Sequence, residues 1–155
     1  MRRLLLASLA FTLLAGCQQP EARQPAPATL AIDGAWVRLA AVPGRPGAAY
    51  FTVRGGGAPD RLVAVTSDKV ETIELHQGGT EGGMMTMKLM AGVDIPAGGA
   101  VAFAPGGNHA MLFGVDPSVR PQAMLPLSFR FQSGKTLAAQ AKVMAAGDSA
   151  PGHDH

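Results

Sequence analysis

The chain has one cysteine among its 155 residues, one Trp, one Tyr, and charged side chains at only 15% of positions. A lone thiol excludes a disulfide framework within the chain. Scarce aromatics, with Lys and Arg scattered rather than striped, remove the stacking platform and the phosphate-neutralising surface of a nucleic-acid binder. Low charge does not signal a bundle of spanning helices either, because no uninterrupted apolar run of about 18 to 20 residues occurs. The formal net charge of +2 includes Arg2 and Arg3, which precede an apolar segment predicted to be removed; without them eleven basic residues face eleven acidic ones. Ser67, Ser118, Ser128, Ser133 and Ser149 lie outside any G-x-S-x-G elbow. Neither H-E-x-x-H nor a phosphate-cradling Gly-rich motif is present, so no enzyme is expected.

What is abundant is turn-forming residues: 20 Gly and 12 Pro without a three-residue period, which excludes collagen and suits one small, all-β domain. Short apolar or alternating runs recur at 31–39, 48–54, 61–66, 71–77, 84–91, 100–104, 109–115, 124–132 and 136–144. This rhythm, broken by Gly, Pro, Asp and Asn, predicts an antiparallel sandwich or Greek-key barrel. The alternation of Leu125, Leu127, Phe129 and Phe131 predicts a strand with one buried face. Trp36, Tyr50 and the six Phe are expected in the core or at its rim.

The ends carry different information. Met1-Arg2-Arg3, the apolar stretch Leu4 to Ala15, then Gly16-Cys17 form a secretory signal over 1–16. Leu14-Ala15-Gly16-Cys17 resembles a bacterial lipobox, which implies that Cys17 is lipidated and becomes the first mature residue. The absence of Asp at position 18, where Gln18 stands, implies by the same resemblance an outer-membrane, periplasm-facing lipoprotein. Residues 17–29 read as lipidated Cys and Pro-rich tether, 30–144 as the domain, and 145–155 as a flexible tail containing His153 and His155.

Methionine is the unusual ingredient, with eight in all and four within Met84, Met85, Met87 and Met90. Core packing explains some of any such cluster, since Met fills irregular gaps. His109-Ala110-Met111 is more informative: alternate residues of a strand project from one face, so both side chains can reach one ion. Imidazole with thioether is a soft donor set suited to Cu(I). The lack of a usable thiolate excludes a blue-copper electron-transfer site, and the lack of an evident carboxylate partner argues against zinc, calcium or magnesium. Glu71 and Glu74 are expected on a solvated strand edge. In an oxidising envelope, thioether and imidazole hold copper without the risk of forming a disulfide.

The wider spacing is His76, ten residues, Met87, twenty-one residues, His109, one residue, Met111. This pattern resembles the PCu(A)C family of periplasmic copper chaperones. The resemblance extends over Gly34-Ala35-Trp36-Val37-Arg38, Gly47-Ala48-Ala49-Tyr50, Glu74-Leu75-His76, Met85-Thr86-Met87, Ile95-Pro96-Ala97-Gly98-Gly99 and Pro105 to Leu112. It implies a cupredoxin-like β-sandwich or barrel with His76, Met87, His109 and Met111 as copper ligands. It also implies a monomer that delivers Cu(I) to the CuA-bearing subunit of cytochrome c oxidase or to a Sco-like assembly factor. The Gly-rich stretch Gln77 to Gly83 departs from the pattern and predicts a looser hairpin ahead of Met87, with Met84 or Met85 as substitute ligands. His-bearing tails in some relatives suggest Cu(II) binding at His153 and His155. Copper storage, and a metal-free structural sandwich, are the alternatives that the residues leave open.

Overall fold

The computed structural model describes residues 28–151, and every regular element among them is a strand. In chain order these are β1 (Ala31–Arg38), β2 (Gly47–Arg54), β3 (Asp60–Thr66), β4 (Val70–Glu81), β5 (Met84–Met90), β6 (Val93–Ile95), β7 (Ala100–Phe103), β8 (Asn108–Val115), β9 (Met124–Phe131) and β10 (Thr136–Met144). They join in one sheet of order β5-β4-β8-β2-β1-β10-β9-β3-β6, and β7 pairs with β2 beyond the stretch that β2 shares with β8. The sheet does not close on itself. Phe51 of β2 nevertheless meets Phe129 of β9 edge-on at 4.8 Å and stacks on Phe103 of β7 at 4.3 Å. Strands remote in the hydrogen-bonded order therefore face each other across one core, in a cupredoxin-like sandwich.

Period-two patterning builds that core. In β9, Leu125, Leu127, Phe129 and Phe131 are buried, and the residues between them are more open. Val37, Ala49, Phe51, Val53, Ala110, Leu112, Ala141 and Val143 fill the inner faces of the central strands. Pro126 lies in β9 just before the stretch paired with β3, which begins at Ser128. A missing N–H is tolerated there because only one side of the strand is bonded.

One irregularity decides what the outer face carries. Between Asp33↔Thr52 and Trp36↔Tyr50, β1 holds one residue more than β2, and Gly34 sits in the left-handed region at φ 56°. Such a bulge shifts the strand's alternation by one. Val37 therefore points into the core, while Trp36 and Arg38 share the outer face with Ala48 and Tyr50. Trp36 is buried, as expected, but in a second cluster with Tyr50 and Met144 rather than in the main core. Its ring lies 4.4 Å from that of Tyr50, and the Arg38 guanidinium sits 5.0 Å above it.

Two expected boundaries need correction. Strand β6 is absent from the expected set, because three residues between Gly92 and Pro96 are too few to show a period. The strand expected over 71–77 runs on to Glu81: the Gly-rich stretch is fully paired with β5, from Gly78↔Met87 to Glu81↔Met84, and Gly82-Gly83 closes the hairpin. Both turn glycines have positive φ, as a tight two-residue hairpin turn requires. The glycines give a regular ladder, not a loose one.

Phe129 is fully buried where β9 meets β2. Phe129→Ala should lower unfolding stability by about 3–5 kcal/mol, the range for deleting a buried aromatic side chain. Urea unfolding measures this directly, and a loss below about 1 kcal/mol would mean that the two layers do not meet as described.

Candidate metal centre

The site grows from the outer face of β4, β8 and β2. In β8, Ala110 and Leu112 are fully buried, so alternation turns His109 and Met111 outward together. In β4, Leu75 points inward, and Glu74 and His76 take the outer face. The β4–β8 register sets His76 opposite His109 and Glu74 opposite Met111, and on the far side of β8, Ala48 of β2 stands opposite Met111. One methyl group there leaves room above the thioether. The hairpin partner β5 places Met87 opposite Gly78.

The four residues of the His and Met motif are thus assembled from three neighbouring strands. The two imidazole rings lie nearly parallel, 5.7 Å apart between centroids. Beside them opens a cleft of about 350 Å³ lined by His109, Met111, Met87, Met85, Ala48 and Arg38, among others. His76 adjoins this cleft through His109 and is not part of its lining. Of the two suggested substitutes, Met85 reaches the cleft and Met84, on the opposite face of β5, does not. Met90 packs against the core, so part of the Met cluster is structural after all. Met87 and Met85 are 60% and 81% exposed, which leaves both sulfurs open to solvent or to a docking protein. Cys17, His153 and His155 lie outside the described residues.

Each histidine is held by a different acceptor. His109 Nδ1 lies 3.0 Å from the carbonyl oxygen of Gly107, which assigns the proton to Nδ1 and leaves Nε2 as a lone pair. His76 Nε2 lies 3.0 Å from Glu74 Oε2, and its Nδ1 is buried with no hydrogen-bond partner. The Glu74 side chain is 40% exposed and so meets water as expected, but it stands on a strand paired on both sides and not on an edge. It is a carboxylate tied to a site histidine and facing Met111 across the strands. Only the cross-strand register shows this, although the i, i+2 spacing of Glu74 and His76 on one strand was a usable hint. Among the described residues no three His, Cys, Asp or Glu side chains converge. A harder ion has no cage here; what the geometry offers is imidazole and thioether for a soft cation.

The turn before β8 is pinned to β4. The Gly78 N–H donates to the Gly107 carbonyl at 3.1 Å, the same oxygen that accepts from His109. A Cβ at Gly78 would lie 2.7 Å from that oxygen, whereas one at Gly79 meets only Thr86 Oγ1, at 3.5 Å. Gly78→Ala should therefore push the turn away, release His109, and cost about 1–3 kcal/mol as an overpacking change. Gly79→Ala should be tolerated. Urea unfolding with amide exchange at residue 78 tests the contrast, and equal behaviour of the two variants would refute it.

Comparison with known proteins bears on the family and the fold. The profile of a family described as LpqE-like lipoproteins matches residues 30–143. A protein of Leifsonia xyli subsp. xyli named as a lipoprotein, Lxx21020, is 32% identical over 107 residues, covering 68% of this chain and 63% of its own length. The match thus spans less than two thirds of that relative. Among solved structures, the copper-bound PCuAC domain from PmoF2 superposes with a TM-score of 0.62 at 19% identity, over 77% of this chain and 98% of that one. The Cu(I) form of DR1885 from Deinococcus radiodurans gives a TM-score of 0.58 at 26% identity, over 83% and 85%. With the expected fold present and the family profile covering nearly all its strands, the chain belongs to the LpqE-like lipoprotein family and shares the fold of PCuAC domains.

Proposed function

We propose that this protein is a lipid-anchored Cu(I) carrier of the cell envelope. It holds one ion with His76, Met87, His109 and Met111 and releases it by ligand exchange to an acceptor. The observation that carries this reading is the opposition of His76 and His109 across β4 and β8, with Met111 on the same face and Met87 reaching into the adjoining cleft. The buried, unpartnered Nδ1 of His76 supports it further, since an orphaned acceptor is costly unless something binds there. So do the copper-bound forms of PmoF2 and DR1885 among the proteins of similar fold. The donor set fits the reduced ion: two thioethers and two imidazoles supply soft ligands and no thiolate.

The exposed sulfurs of Met85 and Met87 favour a carrier over a store, because an incoming ligand can reach the ion from the edge strand. By the family resemblance the acceptor is the CuA-bearing subunit of an oxidase or its Sco-like assembly factor. Cys17 is the attachment point to the membrane in this reading.

Anaerobic titration of the full chain with Cu(I) against a competing chelator should give one equivalent. His109→Ala and Met111→Ala should each weaken binding at least about tenfold, and X-ray absorption should report sulfur ligands. A spectrum without sulfur would overturn the assignment. Transfer of the ion from loaded protein to an apo CuA domain separates carriage from storage. Cys17→Ser should move the protein from the membrane to the soluble fraction and leave copper affinity unchanged; loss of affinity in that variant would contradict a separate anchor.

A further inference from the structure

We propose that Glu74 is a positioning residue of this site: it holds His76 in the Nε2–H form, so that His76 takes the ion through Nδ1 while His109 takes it through Nε2. The inference rests on the copper reading above and deepens it by assigning ligating atoms and the group that sets them.

The position of one proton decides which nitrogen of each ring is free. A neutral imidazole has one N–H and one lone pair, and the partner of one nitrogen fixes the role of the other. At His76 the partner is a carboxylate oxygen 3.0 Å from Nε2. A carboxylate only accepts, so Nε2 donates and Nδ1 is left with the lone pair. That Nδ1 is buried and meets no donor among the described residues. Burying an acceptor unpaired is unfavourable, which makes it the place on this ring that a Lewis acid would satisfy. At His109 the arrangement is reversed: Nδ1 donates to the Gly107 carbonyl at 3.0 Å, and the free lone pair is on Nε2. Two histidines directly opposite each other thus present different nitrogens, one oriented by a side chain and one by the backbone.

The placement of Glu74 follows from the strand. Residues 74 and 76 share the outer face of β4, and Glu74 stands opposite Met111. The carboxylate is therefore at the site but is occupied by the imidazole N–H. A hydrogen-bonded carboxylate behind a metal-binding histidine fixes the ring and strengthens the ligand, and removing such a partner typically weakens metal affinity 10- to 100-fold.

The test uses the full-length Cys17→Ser chain with 15N-labelled histidine. Long-range 1H–15N correlation spectra of the metal-free protein, taken at about pH 9 where ordinary imidazoles are neutral, report which nitrogen of each ring bears the proton. The expected result is Nε2–H at His76 and Nδ1–H at His109. On adding Cu(I), which is diamagnetic, the Nδ1 resonance of His76 and the Nε2 resonance of His109 should shift. Glu74→Ala should mix the tautomers of His76 and weaken Cu(I) binding about 10-fold or more. Glu74→Gln, whose amide oxygen still accepts from Nε2–H, should restore much of both. Nδ1–H at His76 in the metal-free protein, or a Cu(I) response at its Nε2, would overturn the proposal, as would a tautomer unchanged in Glu74→Ala. Because the metal-free spectra need no copper, failure to bind Cu(I) at all would remove the carrier reading, whereas binding through Nε2 would remove only this inference. If Glu74→Ala does not fold, the spectra of the parent chain with and without Cu(I) decide.

Discussion

The antiparallel register of β4 against β8 is the constraint on which the rest of this molecule depends. Strand side chains alternate between faces, so slipping either strand by one residue would turn every side chain over. In β8, Ala110 and Leu112 have no exposed surface, and that burial locks the register. A slip would carry these two into solvent and bury His109 and Met111. The free energy that fixes the donors on the outer face is therefore hydrophobic and belongs to their neighbours. Small residues complete the arrangement: Ala48 leaves space over Met111, and Gly78 lets the turn at Gly107 come within hydrogen-bond distance of β4.

The candidate donors differ in how firmly the sheet holds them. His109 and Met111 stand on β8, which is paired with β4 on one side and β2 on the other, and His76 stands on β4, between β8 and β5. Met87 stands on β5, the terminal strand, whose second edge is unpaired and whose residues are exposed except for the half-buried Met90. Exposed apolar edge strands invite aggregation and are usually protected by charge or shortness. Here Lys88 supplies a charge in the middle of β5. The Met87 thioether thus lies on the edge and the two imidazoles farther in, a fixed base beside an accessible rim.

Much of this architecture was legible in the sequence because it follows from local periodicity. The alternation in β9 and the outward pairing of His109 and Met111 each rest on residues within a few positions of one another. The Gly and Pro content and the rhythm of short apolar runs indicated the fold, and the four-position spacing named residues that the fold places on three neighbouring strands. The features that were not legible depend on partners distant in sequence. β6 is too short to show a pattern, and only its pairing with β3 makes it a strand. The Gly-rich arm of β4 has no propensity for a strand; β5 supplies its ladder. The bulge at Gly34, which turns Trp36 and Arg38 outward, is visible only as a register shift against β2.

Glu74 is the clearest case of this division. On its own strand it is an acid beside a histidine in a run whose outer face was expected to meet water. Its meaning changes once β8 is laid alongside, because Met111 then stands opposite it and His109 stands opposite His76. The acid and the imidazole lie two positions apart on one face, so their hydrogen bond needs no long-range closure and little additional ordering of the chain. The long-range pairing supplies the other donors, and the short-range pair sets the proton. Two inexpensive constraints, one from the register and one from strand alternation, together leave a histidine nitrogen bare in a buried position beside a second imidazole and a thioether.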